Sequence, residues 1–216
     1  MDMSFVVSNL VLLLKGAGMT VQLTIYGIVI GTAIGFLVAL GKISGISYIK
    51  WFCSLYTWLI RGTPLMMQLF VIYYGLPQVG ITLDPMPAAV IGLSVNSGAY
   101  LAEIIRAGIE SIPKGQMEAA RALGMSYGQA MRRVIVPQAY RRLIPPMGNE
   151  FIALLKDSSL VSTIAMVDLM RVAQQRYSVT LRPLEIFGMA CVLYLLMTTM
   201  FTILFGRLEK RLSVYE

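Results

Sequence analysis

Long apolar runs almost free of charge dominate this chain, and they decide the solvent in which it can fold. A helix needs about 20 mostly apolar residues to cross the hydrocarbon core of a bilayer. Five stretches approach or exceed that length: about 17–40, 51–76, 86–109, 144–166 and 184–206. Over the 216 residues only 13% are charged while 57% are hydrophobic, whereas a soluble domain carries roughly 25% charge. This pattern excludes a soluble globular enzyme, a disordered tail and a disulfide-stapled secreted module. It leaves an integral membrane protein, read as a single all-α, multi-pass domain over 1–216. The first 30 residues lack a basic start and a small-residue cleavage site, so no removable signal peptide is read there.

Charge placement orients the five spans. With the N-terminus outside, the inner segments 41–50, 110–143 and 207–216, with Arg106 at their edge, hold twelve Lys and Arg residues. The outer segments hold four: Lys15, Arg171, Arg176 and Arg182. Excess cations mark the cytoplasmic side, so the N-terminus is predicted outside and the C-terminus in the cytoplasm. The formal net charge of +7 is therefore a topology signal, and no nucleic acid is expected as a partner. Histidine is absent, which removes imidazole metal sites and acid–base dyads. No catalytic group and no metal site are expected. Cys53 and Cys191 lie in apolar stretches without CxxC spacing and read as packing residues. Gly35 to Gly41, followed by Lys42 and Ile43, is a near-miss to a nucleotide loop, with the wrong spacing and no hydroxyl for magnesium. Gly27, Gly31 and Gly35 form two overlapping GxxxG units, which serve either packing inside the chain or a contact between copies.

The inner segment 110–143 is more than a connector. Ser111, Ile112 and Pro113 suit a helix start, residues 116–123 are rich in helix formers, and Gly124 suits the end of that helix. Ser126 with Gln129 reads as a capping box opening a second helix, which Pro137 is predicted to stop. The first helix offers Met117, Ala120 and Leu123 at helical spacing, a face for a cytoplasmic protein. Glu118, Ala119, Ala120, three residues, Gly124, nine residues, then Val134-Ile-Val-Pro137 resembles the EAA loop of permease subunits of binding-protein-dependent ABC importers. Val134 and Val136 stand where the family pattern has Ile and Leu. Arg61-Gly-Thr-Pro-Leu65, Tyr100 to Arg106, and Leu155 to Ser162 are similar to the polar amino acid uptake branch of that family.

The resemblance implies a type I importer fold with about five transmembrane helices and a cytoplasmic coupling-helix loop. It also implies a second permease subunit, for which a homodimer is favoured, two cytoplasmic ATPase subunits that hold ATP and magnesium, and an extracytoplasmic solute-binding protein. The chain itself then needs no cofactor, and its coupling residues are Glu118, Ala119, Ala120, Leu123, Gly124 and Pro137.

Ionisable groups inside a span cost several kcal/mol and need a partner or a wet cavity. Asn96, Tyr100 and Glu103 stand at i, i+4 and i+7 on one face of the third span. Asp157, Ser158 and Ser159, beside Lys156, break the fourth span with polar groups. These two faces are read as a substrate pocket in which a carboxylate suits an ammonium or guanidinium. The bland alternative is an ion pair that holds helices together, for example Lys156 with Glu103. Arg61, just before Gly62-Thr63-Pro64, is read as serving carbonyls freed by Pro64 or a nearby carboxylate. The outer segment 167–183 is an ordinary polar loop or helps to seat the binding protein. The functional expectation is an ATP-driven importer of cationic L-amino acids (arginine, lysine or histidine), with glutamine or cystine as alternative substrates. An ion- or proton-coupled secondary transporter is the alternative of another class.

Overall fold

The computed structural model describes residues 3–212, and among them the regular structure is helical throughout. Helix α1 covers Met3–Ile43 and α2 covers Ser47–Arg61. After a break, α3 runs Leu65–Phe70 and continues through one π turn, Val71–Gly75, and a 3-10 turn, Leu76–Val79. Helix α4 is Pro85–Glu110, followed by the short α5, Lys114–Ala122, and α6, Tyr127–Ala130. A π turn over Met131–Ile135 leads into α7, Val136–Asp157, and a 3-10 segment, Ser158–Ile164. Helices α8, Leu169–Thr180, and α9, Pro183–Leu212, complete the described chain.

By length and composition α1, α4 and α9 can each cross a membrane. The other two expected spans are built differently. The stretch 51–76 is not one helix: Pro64 has an extended backbone (ψ 137°) and no N–H, so the ladder ends at Arg61 and restarts at Leu65. The stretch 144–166 is helical only to Asp157, then tightens to 3-10 and turns at Ala165, whose φ is 63°. Pro137 does not stop a helix. It occupies the first turn of α7, where a missing N–H is tolerated, after the wider π turn has absorbed the change of register.

Helix α1 begins well before the predicted residue 17, because its N-terminal half has a surface to pack on. Leu13 and Ala17 join Leu169 and Ala173 of α8 and Ile186 and Ala190 of α9 in one buried cluster. The segment 167–183 is thus largely a docked helix, not a free loop. Asp168 caps α8 by accepting from the Met170 and Arg171 amides at 3.1 and 2.9 Å. Leu169 N donates to Thr20 Oγ1 at 3.1 Å, and Arg176 Nε donates to Asn9 Oδ1 at 2.7 Å.

The glycine repeat is consumed inside the chain, against α4. Ser97 Oγ donates to the Gly27 carbonyl at 3.0 Å, so the two backbones lie nearly in contact. A Cβ at Gly35 would come within 2.8 Å of Leu101 Cβ and 2.9 Å of Ala102 N. Gly35→Ala is therefore expected to force the helices apart and to cost about 1–3 kcal/mol. Gly27→Ala would meet Leu154 Cδ2 at 3.0 Å, the end of a side chain that can move. A thermal melt of the solubilised protein should show the larger loss for Gly35→Ala. Equal losses would show that backbone approach does not set the packing.

Candidate functional site

The break between α2 and α3 and the C-terminal half of α7 leave a cavity of about 520 Å³. Arg61 and residues 62–65 form one wall, Asn96 and Tyr100 of α4 a second, and Glu150, Ala153 and Asp157 of α7 a third. The α7 residues stand at i, i+3 and i+7, so one helical face delivers both carboxylates. The Arg61 guanidinium sits over the Tyr100 ring, 5.2 Å from its centroid, which keeps the cation at the cavity wall. Among the described residues, no carboxylate is within ion-pair distance of Arg61, and no cation is within it of Glu150 or Asp157. The cavity thus presents one cation, two carboxylates and a neutral amide, with no ion pair closed among them.

Of the six residues predicted for a substrate pocket, the structure brings Asn96, Tyr100 and Asp157 together there. Glu103 is elsewhere. Helices rise 1.5 Å per residue, so it lies about 10 Å further along α4 than Asn96, where the end of α1 reaches it. Lys42 Nζ donates to Glu103 Oε1, and Arg106 donates through Nε at 2.9 Å and Nη2 at 2.8 Å to Oε2. Lys42 also donates to Thr57 Oγ1 of α2 at 2.9 Å. The ion pair considered for Glu103 thus exists, with Lys42 and not with Lys156 as its distant partner. Ser158 is buried and donates to the Leu155 carbonyl at 2.8 Å, an ending of α7 rather than a cavity group. Ser159 is not among the lining residues. Glu150 is not among the predicted pocket residues, and Arg61, expected to serve carbonyls freed by Pro64 or a nearby carboxylate, lines the cavity instead. The spacing of Glu150 to Asp157 was the signal that could have placed both on one face.

The loop between α4 and α7 presents a second surface. Glu118, Ala119, Leu123 and Gly124 are exposed, Leu123 at 80%. The expected apolar face is divided, because Ala120 is buried and Met117 packs beside Ile112, Ile135 and Ala139 of its own chain. Leu123 alone of that trio remains available. Gly124 has φ 82°, in the left-handed region that ends helices, and its N–H donates to the Arg121 carbonyl at 3.0 Å. The capping box is present: Gln129 N donates to Ser126 Oγ at 3.3 Å and Ser126 N to Gln129 Oε1 at 2.9 Å. Gln138 Nε2 donates to Gln116 Oε1 at 3.2 Å and Arg142 Nη1 to the Ser111 carbonyl at 2.7 Å. These bonds tie α5 and its approach to α7, the helix that carries the cavity carboxylates. Pro137, at the start of α7, is exposed beside this surface.

Residues 27–214 match the model of the binding-protein-dependent transport system inner membrane component, and the chain belongs to that family. It is thus a membrane transport subunit and not an enzyme, with the ATPase on a separate subunit. Among similar proteins is the arginine transport system permease protein ArtQ of Bacillus subtilis, 39% identical over 99% of this chain and 98% of that protein. The L-cystine transport system permease protein TcyB of the same organism is 43% identical over 91% of this chain and 84% of its own length. A solved amino acid ABC transporter with histidines superposes with a TM-score of 0.93 at 44% identity, covering 98% of this chain and 99% of that one. The fold is that of a type I importer permease.

Proposed function

We propose that this chain forms the transmembrane pathway for cationic L-amino acids in an ATP-driven importer working by alternating access. The observation that carries the reading is the cavity with Glu150 and Asp157 unpaired opposite Arg61. Such an array fits a zwitterion with an additional positive group, its carboxylate at the guanidinium and its side-chain cation at the two carboxylates. The relative named for arginine transport and the structure with histidines support the same class. In this reading the break of α2 and α3, and α7 with its 3-10 extension, complete five crossings, N-terminus outside and C-terminus cytoplasmic. Two copies of the chain line the pathway, and a solute-binding protein delivers substrate from outside. Two cytoplasmic ATPase subunits bind ATP and magnesium, and their closure pushes on the surface around Glu118, Ala119, Leu123 and Gly124. Because α5 is bonded to α7, that push moves Glu150 and Asp157 and turns the cavity from outward to inward.

The test is L-arginine-stimulated ATP hydrolysis in liposomes holding this chain and its candidate ATPase. Asp157→Asn and Glu150→Gln are each expected to raise the half-maximal arginine concentration roughly tenfold, the amount one charge-assisted hydrogen bond contributes. If wild type and both variants respond alike, substrate choice lies outside this chain. If glutamine stimulates as well as arginine, the carboxylates do not select for charge.

A further inference from the structure

The cavity wall made by the break between α2 and α3 is held by two side chains, Thr63 and Gln68, and only Gln68 also reaches α4. In a continuous helix the Ile60 carbonyl would accept from the N–H of residue 64, but Pro64 has none. Gln68 supplies the missing donor: its Nε2 donates to the Ile60 carbonyl at 2.7 Å, to the Thr63 carbonyl at 3.1 Å and to Thr63 Oγ1 at 3.0 Å. The Thr63 hydroxyl donates its own proton to the Leu59 carbonyl at 3.0 Å, so toward Gln68 it can only accept. Three acceptors on one side leave the amide of Gln68 a single orientation. Its Oε1 is turned to α4, where it accepts from Asn96 Nδ2 at 3.1 Å.

This bond in turn orients Asn96, a cavity residue only 6% exposed. With its NH₂ committed to Gln68, Asn96 keeps Oδ1 as its acceptor, and none of the described residues donates to it. We infer that Gln68 is a positioning residue for substrate selection. It repairs the break left by Pro64 and, through the same amide, holds Asn96 so that an acceptor joins Glu150 and Asp157 around the substrate's donor-rich cationic group. Without that bond nothing fixes the flip of the Asn96 amide before substrate arrives, and binding must then orient and hold it. The inference rests on the reading of this cavity as the substrate site.

The experiment uses the same liposomes of permease and ATPase, with L-arginine as the probe and the half-maximal concentration recorded separately from the maximal rate. Gln68→Met is expected to raise the half-maximal arginine concentration roughly tenfold, the contribution of one charge-assisted hydrogen bond. Asn96→Leu leaves the bonds of Gln68 to the break intact and is expected to give the same shift. The double variant should be no worse than either alone, because the two amides act as one unit. A solely structural Gln68 would lower the maximal rate or the melting temperature, leave the half-maximal concentration unchanged and add to Asn96→Leu; that result overturns the inference. An unchanged value for Asn96→Leu also overturns it, and stands even if Gln68→Met does not fold. Asp157→Asn run alongside separates the two failures. If it shifts the arginine response while the amide variants do not, the substrate site stands and the positioning role falls. If none of them shifts it, the site itself is wrong.

Discussion

Gly124→Asp is expected to abolish uptake while the protein still inserts into the membrane at normal levels. Gly124 has φ 82° and closes α5, with Met125 N donating back to the Ala120 carbonyl at 3.2 Å. An L-residue pays about 1–2 kcal/mol in that conformation, which is modest beside a typical folding stability of about 5–15 kcal/mol. Nothing within 4 Å would obstruct a new Cβ, so this chain can accommodate the side chain sterically. The damage falls on the partner. Gly124 lies beside Leu123, the exposed apolar residue of the loop, and a docked ATPase would cover both. A carboxylate enclosed there without a cation costs several kcal/mol, and every 1.4 kcal/mol is a factor of ten. Docking should therefore weaken by more than a hundredfold. Gly124→Asn, which tolerates the left-handed backbone and adds no charge, should retain much of the activity. Membrane-fraction immunoblots, co-purification of the ATPase and uptake measured together separate the cases. Normal transport by Gly124→Asp would remove the coupling role from this loop.

The loop was legible in the sequence because its signals are local. A capping box, a helix-ending glycine and an exposed apolar residue need only a few neighbours to act, and all three are in the structure. Pro137 was misread for the opposite reason: whether a proline ends a helix or opens one depends on the turn before it, and a π turn leaves little mark in composition. The helical class was equally legible from the apolar runs. The interruptions inside those runs were legible in part: Pro64 and the polar groups at 157–159 marked where they fall, but the group that satisfies the freed Ile60 carbonyl is Gln68 and not Arg61. The length of α1 was hidden in the same way. Its N-terminal half carries Asn9, which looks out of place in an apolar helix until Arg176 of α8 is seen to donate to it.

Within the cavity, Asn96, Tyr100 and Asp157 could be found because a polar residue in an apolar span demands a reason. That rule states only that a partner exists. For Glu103 one partner, Arg106, stands at i+3 within reach of a spacing argument, but the other, Lys42, is 61 residues away on α1, and no spacing argument reaches that far. Glu150 stands near the predicted inner edge of the fourth span, where a carboxylate can be wet and needs no partner. Its register with Asp157 carried the information that its depth obscured.

Glu103→Gln is expected to lower the melting temperature of the solubilised protein by about 5–10 °C and to leave its arginine response unchanged. The Lys42 and Glu103 side chains are only 12% and 16% exposed, and Arg106 shares the same carboxylate. Removing one member of a buried pair costs about 3–5 kcal/mol, because the surviving charge has lost both water and partner. Here Arg106 keeps Glu110, and Lys42 keeps its bond to Thr57 Oγ1, so the loss should fall near the lower end. For a chain of this size about 2–4 °C accompanies each kcal/mol. Lys42→Met combined with Glu103→Leu removes both charges and should recover most of the lost stability, since apolar packing can replace a buried pair at little cost. Lys42→Met alone should be as harmful as Glu103→Gln, because it strips α1 and α2 of the same anchor on α4. The arginine response decides what the carboxylate is for. A Glu103 that holds three helices together leaves the half-maximal arginine concentration where it was, once the protein is intact. A Glu103 that binds substrate shifts that concentration even in the stabilised double variant, and this outcome would extend the substrate path along α4 to the C-terminal end of α1.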